Sequence, residues 1–477
     1  MNAMRSWQRR TPVAVVVSAT LAGLVTLITS AVSPSLAQGL TTSRELSTAS
    51  VSRAARPACE DGSTNETAVL SLAQIFKLAL CQSVLYRQAK ASAAEQQANS
   101  DLVRAGFQPL VTLSSALSRK RIPLGSDSSN VDSKSFSTLI GLSWVIFDFG
   151  QRNALLSASQ EQLAAALLGL DSSELQAIAD ALRLYVEAVG AWERLAVVVQ
   201  AQDAARQSVV IAQGRYEGQI GTLADKLLAD TTLAQATLER VRAETAWDIA
   251  RGALALSLGW TVGRTVALDG WRAEATQAWG TTELGTLDRV TDDALQLHPR
   301  AQALKAEVRA LQARADALRF ESRGSVSLSS SIGASRALEP GAVTSRNLNG
   351  SVFYSVPLFQ GDTTAARRAQ FEAQIEGRNA QYLGIERELK LELWKALRQL
   401  QADEESLTAA AAFLKSATAS LDVATGRYKA GVASLTELLA AQTNLTTARF
   451  QQSQAMVATL ASKIRLVVAS GRLPIRF

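Results

Sequence analysis

Two long stretches of the chain place apolar residues at alternating steps of three and four. Leu175, Ile178, Leu182, Tyr185, Val189, Trp192, Ala196 and Val199 follow this rule in the first, and Leu393, Leu397, Leu400, Leu407, Ala411 and Leu414 in the second. The spacing is that of a coiled-coil seam, and it predicts helices over residues 150–214 and 362–426. At 1.5 Å per residue each would be a rod of about 100 Å. Such a rod persists only where its seam is packed along its length. The many alanines allow close helix approach and leave little bulk for a ligand pocket, so packing is the first reading of every seam residue.

Elsewhere the period falls to two. Val326, Leu328, Ser330, Ile332 and Ala334 alternate with serines and Gly333, while Leu348, Gly350, Val352, Tyr354 and Val356 alternate with Asn347, Asn349, Ser351, Phe353 and Ser355. This predicts strands over 325–334 and 347–358, each with one apolar face and one hydroxyl- or amide-rich face. In the first half Val111, Leu113 and Leu117 face one way over 110–118, and Ile140, Leu142, Trp144 and Ile146 form the apolar face of 136–147. A sheet packed on a core would show the same alternation, yet runs of about nine to eleven residues also match a membrane-spanning strand. Phe107, Phe147, Phe149, Phe320 and Phe359 lie at strand ends, where an interfacial aromatic girdle would sit.

The chain is internally duplicated. Gly214-Arg215-Tyr216 recurs as Gly426-Arg427-Tyr428, an offset of 212 residues. At that offset Leu223, Leu227, Thr231, Leu233 and Ala236 fall without gaps on Leu435, Leu439, Thr443, Leu445 and Ala448, and Asp225 falls on Glu437. Each half reads as helix, two strands, a very long helix, a glycine-containing turn and another helix. The remaining helices are expected over 71–105 with a break near Gln82-Ser83, 222–258, 299–320 and 434–469. The resulting division is residues 1–37, a signal peptide; 38–67, a loose lead-in; 68–258, the first repeat; 259–295, a connector with Trp271 and Trp279; 296–470, the second repeat; and 471–477, a tail.

The leader rests on Arg5, Arg9 and Arg10, an apolar stretch from Val13 to Ile28, and Ser35-Leu36-Ala37 at the cleavage position. An exported protein meets oxidising surroundings. A disulfide between Cys59 and Cys81, the two cysteines of the chain, is therefore expected, with two free thiols as the alternative. One histidine and two cysteines leave little for a metal, haem or iron–sulfur site, and no cofactor is expected. Of the 49 basic residues three belong to the leader, which leaves 46 against 43 acidic ones, too mild a balance to suggest nucleic acid. No later segment has the 18 or so consecutive apolar residues of a spanning helix.

Four strands cannot close a membrane barrel, whose smallest forms have about eight, and lipid forbids open sheet edges. If these strands span a membrane, several chains must share one barrel. The paired hairpins, the long helices, the Arg-Tyr-x-x-G-like turns and the Phe359-Gln360-Gly361 junction resemble the TolC family of outer-membrane efflux proteins, over about residues 70–470. The resemblance implies a mainly α fold with β: a homotrimer whose twelve-stranded outer-membrane barrel, four strands per chain, continues into an α-helical periplasmic tunnel. It implies a passive exit duct and no catalysis, with outer-membrane lipid around the barrel. A periplasmic adaptor and an inner-membrane pump would dock at the lower end. Cys59 and the Ala79-Leu80-Cys81 element look most like members serving type I toxin export with an ABC transporter; the alternative is the channel of a proton-driven multidrug pump.

By position, the resemblance assigns the closed tip and adaptor contact to the turns 216–223 and 428–435, with Tyr216, Gly218, Gly221, Tyr428 and Gly431 as candidates and Gln219 at a usual glycine position. The family gate is an Arg–Asp–Tyr network. Asp225 and Tyr428 match it, while Ala433 and Ala224 replace its Arg and Thr, leaving Arg215 or Arg427 as substitutes; plain turn-stabilising contacts are the other reading of Asp225 and Tyr428. Glu437 matches one position of an acidic entrance ring and Ala440 lacks the other; a solvated surface glutamate is equally consistent.

Weaker signals have plainer readings. His298 precedes Pro299 and reads as a capping or surface residue. Asp148-Phe149-Gly150 spells a kinase metal triplet but lacks the accompanying motifs, so it reads as a strand end and helix start. Arg119-Lys120-Arg121 is expected in an outward loop, solvated or touching lipopolysaccharide phosphates. An enzyme is disfavoured because His298 alone assembles no nucleophile–base–orienter set. A periplasmic adaptor is disfavoured by the duplicated strand pairs and the lack of a lipoyl-like module.

Overall fold

The computed structural model describes residues 71–123, 130–263, 294–338 and 341–471, together with residues 268, 271, 272 and 292 of the connector. The leader, the lead-in with Cys59, most of the connector with Trp279, and the tail from residue 472 lie outside the described residues. The elements, in chain order, are α1 (Leu72–Gln82), α2 (Val84–Ala105), β1 (Leu110–Pro123), β2 (Asn130–Phe147), α3 (Gln151–Glu217), α4 (Leu223–Ser257), α5 (Pro299–Glu321), β3 (Ser325–Ala337), β4 (Thr344–Ser355), α6 (Thr363–Lys429) and α7 (Leu435–Ala469). Ser71 opens α1 with a capping box to Gln74. Ser83 ends α1 in extended conformation and caps α2 through the Tyr86 N–H.

The strands form one antiparallel sheet in the order β1-β2-β3-β4. Its register puts the apolar faces of both hairpins on the same side: Leu113, Ile140, Ile332 and Leu348 form one row, and Trp144, Leu328 and Val352 another. The opposite face carries Leu110–Ser143–Ser329–Ser351 and Thr112–Gly141–Ser331–Asn349. Leu113, Leu348 and Val352 stand exposed. A soluble packing partner for this face does not exist among the described residues. β1 and β2 run longer than expected, and Arg119, Lys120 and Arg121 pair in β1 with Lys134, Ser133 and Asp132. The basic triplet therefore lies within the hairpin and not in a loop, because ladder hydrogen bonding continues past the apolar alternation.

Below the sheet the helices lie in two tiers that share α3 and α6. In the tier next to the sheet α2, α3, α5 and α6 follow one another, tied by Ser159–Ser100 at 3.4 Å, Arg309–Glu161 at 2.8 Å and Arg378–Glu307 at 3.2 Å. In the lower tier the order is α4, α3, α7, α6, with Gln202 donating to Thr237 at 2.9 Å and Thr459 to the Asp403 carbonyl at 3.3 Å. Helices α2 and α4 therefore form one flank of the chain and α6 the other.

The seams follow the expected rule with two shifts. In α3 burial follows Leu175, Ile178, Leu182, Tyr185 and Val189, then moves to Glu193 and Val197, leaving Val199 exposed. Steps of four advance the seam because a straight helix has 3.6 residues per turn, not 3.5. In α6 the heptad holds through Leu393, Ala396, Leu400, Asp403, Ala410, Ala417 and Ala424, with Ala411 exposed. Small residues recur once per turn pair, so α7 approaches closely through Ala441, Ala448 and Ala455.

In the first half the strand-to-helix junction is tied by hydrogen bonds. Phe149 and Gly150 adopt φ of 53° and 103°. Buried Asp148 accepts from the Gly150 and Arg152 amides at 3.3 and 3.1 Å and from Arg152 Nε at 2.6 Å. Arg152 in turn donates to the Gly106 carbonyl at 3.2 Å and lies 4.8 Å over the Phe107 ring. Phe147, Phe149 and Tyr354 make edge contacts at 4.9 and 6.3 Å, whereas Phe359 is exposed. The metal-like triplet is thus a helix-start device, as its position implied.

Candidate functional site at the helical tips

The lower ends of α3–α4 and α6–α7 are two tight turns related by the duplication. At the first, Gly218, Ile220 and Gly221 return their amides to the carbonyls of Gly214, Arg215 and Arg215 at 3.0, 3.0 and 2.9 Å. A side chain at Gly221 would lie 3.0 to 3.2 Å from Arg215 and the Tyr216 amide, so close approach, not positive φ, demands glycine there. Gln219 takes φ of 60°, matching Gly431 with 77° at the second turn. The departure from glycine at residue 219 leaves the backbone unchanged and transfers the cost to a side chain in a left-handed conformation. Thr222 and Asp225 then form a capping box: Thr222 Oγ1 accepts from the Asp225 amide at 3.1 Å and donates to Asp225 Oδ2 at 2.9 Å. At the second turn Ser434 caps through the Glu437 amide at 3.2 Å.

The two turns are joined through Tyr428. Its side chain lies with Ala212, Ala229, Leu435 and Leu438 in a hydrophobic cluster between α3, α4, α6 and α7. Arg215 donates to the Tyr428 carbonyl at 3.2 Å, and its guanidinium stands 5.0 Å from the ring centroid. Burial pushes the Tyr428 hydroxyl above its ordinary pKa, Arg215 opposes this and Asp225 reinforces it, so the ring stays neutral. The structure thus brings Arg215, Asp225 and Tyr428 into one electrostatic neighbourhood, with the arginine coming from α3 and not from the position held by Ala433. Asp225 also serves the turn through its capping box with Thr222.

Other candidates stand apart. Tyr216 is 40% exposed and carries Lys226 Nζ 5.8 Å over its ring. Glu437 pairs with Arg427 at 3.0 Å on the surface. Ile220 and Val432 project apolar side chains from the two turns. Cys81 is not a free thiol, while Cys59, its expected partner, lies outside the described residues. His298 caps α5, its Nδ1 accepting from the Arg300 amide at 3.3 Å, and it is buried rather than on the surface. Among the described residues no group of His, Cys, Asp and Glu is placed to hold a metal, and no helix is long and apolar enough to cross a membrane.

One anchor had no sequence signal. Glu193 is buried at mid-rod, accepting from Trp271 Nε1 at 3.1 Å, from Ser453 at 2.9 Å and from Arg272 Nη2 at 2.9 Å. It ties α3, α7 and the connector together. An acidic residue one place off an apolar seam reads as solvated, and only the arrival of the connector reveals its partners.

These geometries match known proteins along nearly the whole described chain. The outer membrane efflux protein family matches residues 75–260 and 290–472, and the chain belongs to that family. CyaE of Bordetella pertussis is 30% identical over 409 residues, 85% of this chain and 84% of CyaE. The solved structure of VceC, an outer membrane protein of Vibrio cholerae, superposes with a TM-score of 0.68 at 17% identity, covering 84% of this chain and 96% of VceC. A membrane protein from Pseudomonas aeruginosa gives 0.70 at 22% identity, covering 85% and 91%. At these identities the two structures speak for the fold alone. The protein is an outer-membrane efflux channel that extends into the periplasm, a transport protein and not an enzyme.

Proposed function

We propose that three copies of this chain close a twelve-stranded barrel, and that the assembly is the exit duct of a type I secretion system for a protein toxin. A periplasmic adaptor would dock at the turns bearing Tyr216, Gly218, Gly221, Tyr428 and Gly431, and an inner-membrane ABC transporter would supply the energy. The observation that carries the assembly is a four-stranded sheet with two open edges and an exposed apolar face. Lipid tolerates that face but not those edges, and three copies of four strands give a closed barrel of ordinary size. The secretion reading is supported by the match to CyaE over 84% of its length. The cluster of Arg215, Asp225 and Tyr428 is read as the gate, and threefold repetition of Glu437 as an acidic ring that attracts cations.

Deleting the gene and measuring both toxin export and drug sensitivity tests the reading. Lost export with unchanged sensitivity supports it. Drug sensitivity with intact export replaces it by a multidrug channel, and failure of the purified protein to conduct in a planar bilayer removes the duct altogether.

A further inference from the structure

The four strands carry their basic residues at one end only. Arg119, Lys120 and Arg121 of β1, Lys134 of β2, Arg336 of β3 and Arg346 of β4 all lie toward the hairpin turns, away from the helices. Near the helices the strands hold none, and there the apolar face carries Trp144, Val326 and Tyr354. Alternation and register fix the face that each charge takes. Phe136 stands opposite both Leu117 and Arg336, Lys134 opposite Arg119, and Ala334 opposite Arg346. On the apolar face, therefore, every strand ends its apolar run and places a cation two residues further out: Leu117 then Arg119, Phe136 then Lys134, Ala334 then Arg336, Leu348 then Arg346. Lys120 alternates to the opposite face. Arg121 lies further out, in register with Asp132, the one acidic residue of these strands.

The four cations form a continuous stripe. Arg119 and Lys134 are direct cross-strand neighbours, while Lys134 to Arg336 and Arg336 to Arg346 are diagonal ones, so each step is about 5–8 Å. All four side chains are exposed. Like charges set opposite each other destabilise a ladder, a local cost that an anion seated among them removes. We propose that this stripe binds the phosphate groups of outer-leaflet lipopolysaccharide, whose acyl chains then lie on the apolar rows next to it. The proposal rests on the barrel reading above, which turns this face toward lipid. The helices leave the sheet at its other end and extend into the periplasm, so the charged end meets the outer leaflet. Lysine and arginine stems lie along apolar surface and carry their charge to its edge, and arginine forks take phosphate oxygens in pairs. A cation on every strand, each at the edge of an apolar run, fits an anionic amphiphile better than a free anion, which has no use for the apolar rows.

The test is titration of the purified full-length protein, in a neutral detergent, with diphosphorylated lipid A, bound copies being counted by native mass spectrometry. Combining Arg119→Gln, Lys134→Gln, Arg336→Gln and Arg346→Gln should weaken binding at least about tenfold. Lys120→Gln, on the opposite face, should bind as the unaltered protein does, and Arg119→Lys with Arg336→Lys and Arg346→Lys should keep most of the affinity. Dephosphorylated lipid A should bind both forms equally weakly, and inorganic phosphate should not displace the lipid. Should the fourfold variant fail to assemble, the pairs Arg119→Gln with Lys134→Gln and Arg336→Gln with Arg346→Gln replace it, each with an intermediate loss. Equal lipid A binding with and without the four charges, or an equal loss in Lys120→Gln, would overturn the stripe, and displacement by inorganic phosphate would overturn the lipid as its ligand. Either result in protein that still conducts in a planar bilayer spares the barrel; protein that neither inserts nor conducts overturns the barrel reading instead.

Discussion

The mid-rod carboxylate of Glu193 offers the most exacting check on the packing argument. Replacing it by alanine removes an acceptor shared by Trp271, Arg272 and Ser453. The Arg272 side chain is 61% exposed, so its share is screened and small. The Trp271 and Ser453 bonds are charge-assisted and enclosed, and each is worth about 1.5–3 kcal/mol. The truncation also leaves the buried indole N–H without a partner. Together these give a loss of about 3–5 kcal/mol for Glu193→Ala, and of about 1–2 kcal/mol for Glu193→Gln, which keeps one acceptor oxygen without the charge. Urea unfolding followed by helical circular dichroism would measure both. A double-mutant cycle with Trp271→Phe isolates the indole bond, because phenylalanine keeps most of the ring volume and drops the donor; a coupling of at least about 1 kcal/mol is expected. Additivity within about 0.5 kcal/mol, or a cost below about 1 kcal/mol for Glu193→Ala, would show that the connector is not held by this carboxylate.

His298 should make stability depend on acidity. Burial first, and Arg300 second, lower its pKa from 6.5 to about 4, against an opposing pull from Glu388. The unfolded chain therefore takes up a proton near neutrality that the folded chain refuses, so stability is full above the unfolded pKa and drains as pH falls toward the folded one. The loss approaches about 3 kcal/mol; His298→Asn keeps a capping acceptor and should flatten that slope between pH 7 and 4.5, and an unchanged slope would assign it to other groups. Gln219→Gly relieves a left-handed side chain and should raise stability by about 0.5–1 kcal/mol; a lower denaturation midpoint would refute the assignment of strain. Titration of the denatured, unreduced protein should find no free thiol, and two per chain would reject the Cys59–Cys81 bond. Arg215→Gln should raise single-channel conductance in a planar bilayer if the Tyr428 clasp restrains the tip, and equal conductance would leave it as packing alone.

How much of this was legible in the residues depends on whether one chain segment or several carry the signal. Helices and strands announced themselves because their periods are local, and element ends at Ser71, Ser83, Thr222 and Ser434 carried capping side chains. The sheet faces were readable for the same reason, since register preserves parity across paired strands. What failed was local reasoning applied past its range. The α3 seam was carried one heptad too far, because nothing near Trp192 tells a reader that the helix has drifted and that Glu193 is claimed by a connector 78 residues away. The basic triplet reads as a loop because its side chains do not alternate, yet backbone pairing needs no alternation to continue.

The tip is the sharper case. The sequence has Ala433 where the family has an arginine and offers Arg215 or Arg427 in its stead; the fold sets Arg215, from the other repeat and 213 residues from Tyr428, against that residue. Duplication explains why that arginine is available: an arginine precedes a tyrosine at the end of each long helix. Which of the two arginines meets Tyr428 follows only from packing the repeats side by side. By the same logic a variant that restores the family pattern, Ala433→Arg, should find the Tyr428 face already occupied by one cation. Like charges so close repel, so Ala433→Arg is expected to loosen the tip in the presence of Arg215 and to tighten it in an Arg215→Gln background. Conductance that falls equally in both backgrounds would mean that the two positions do not share a site.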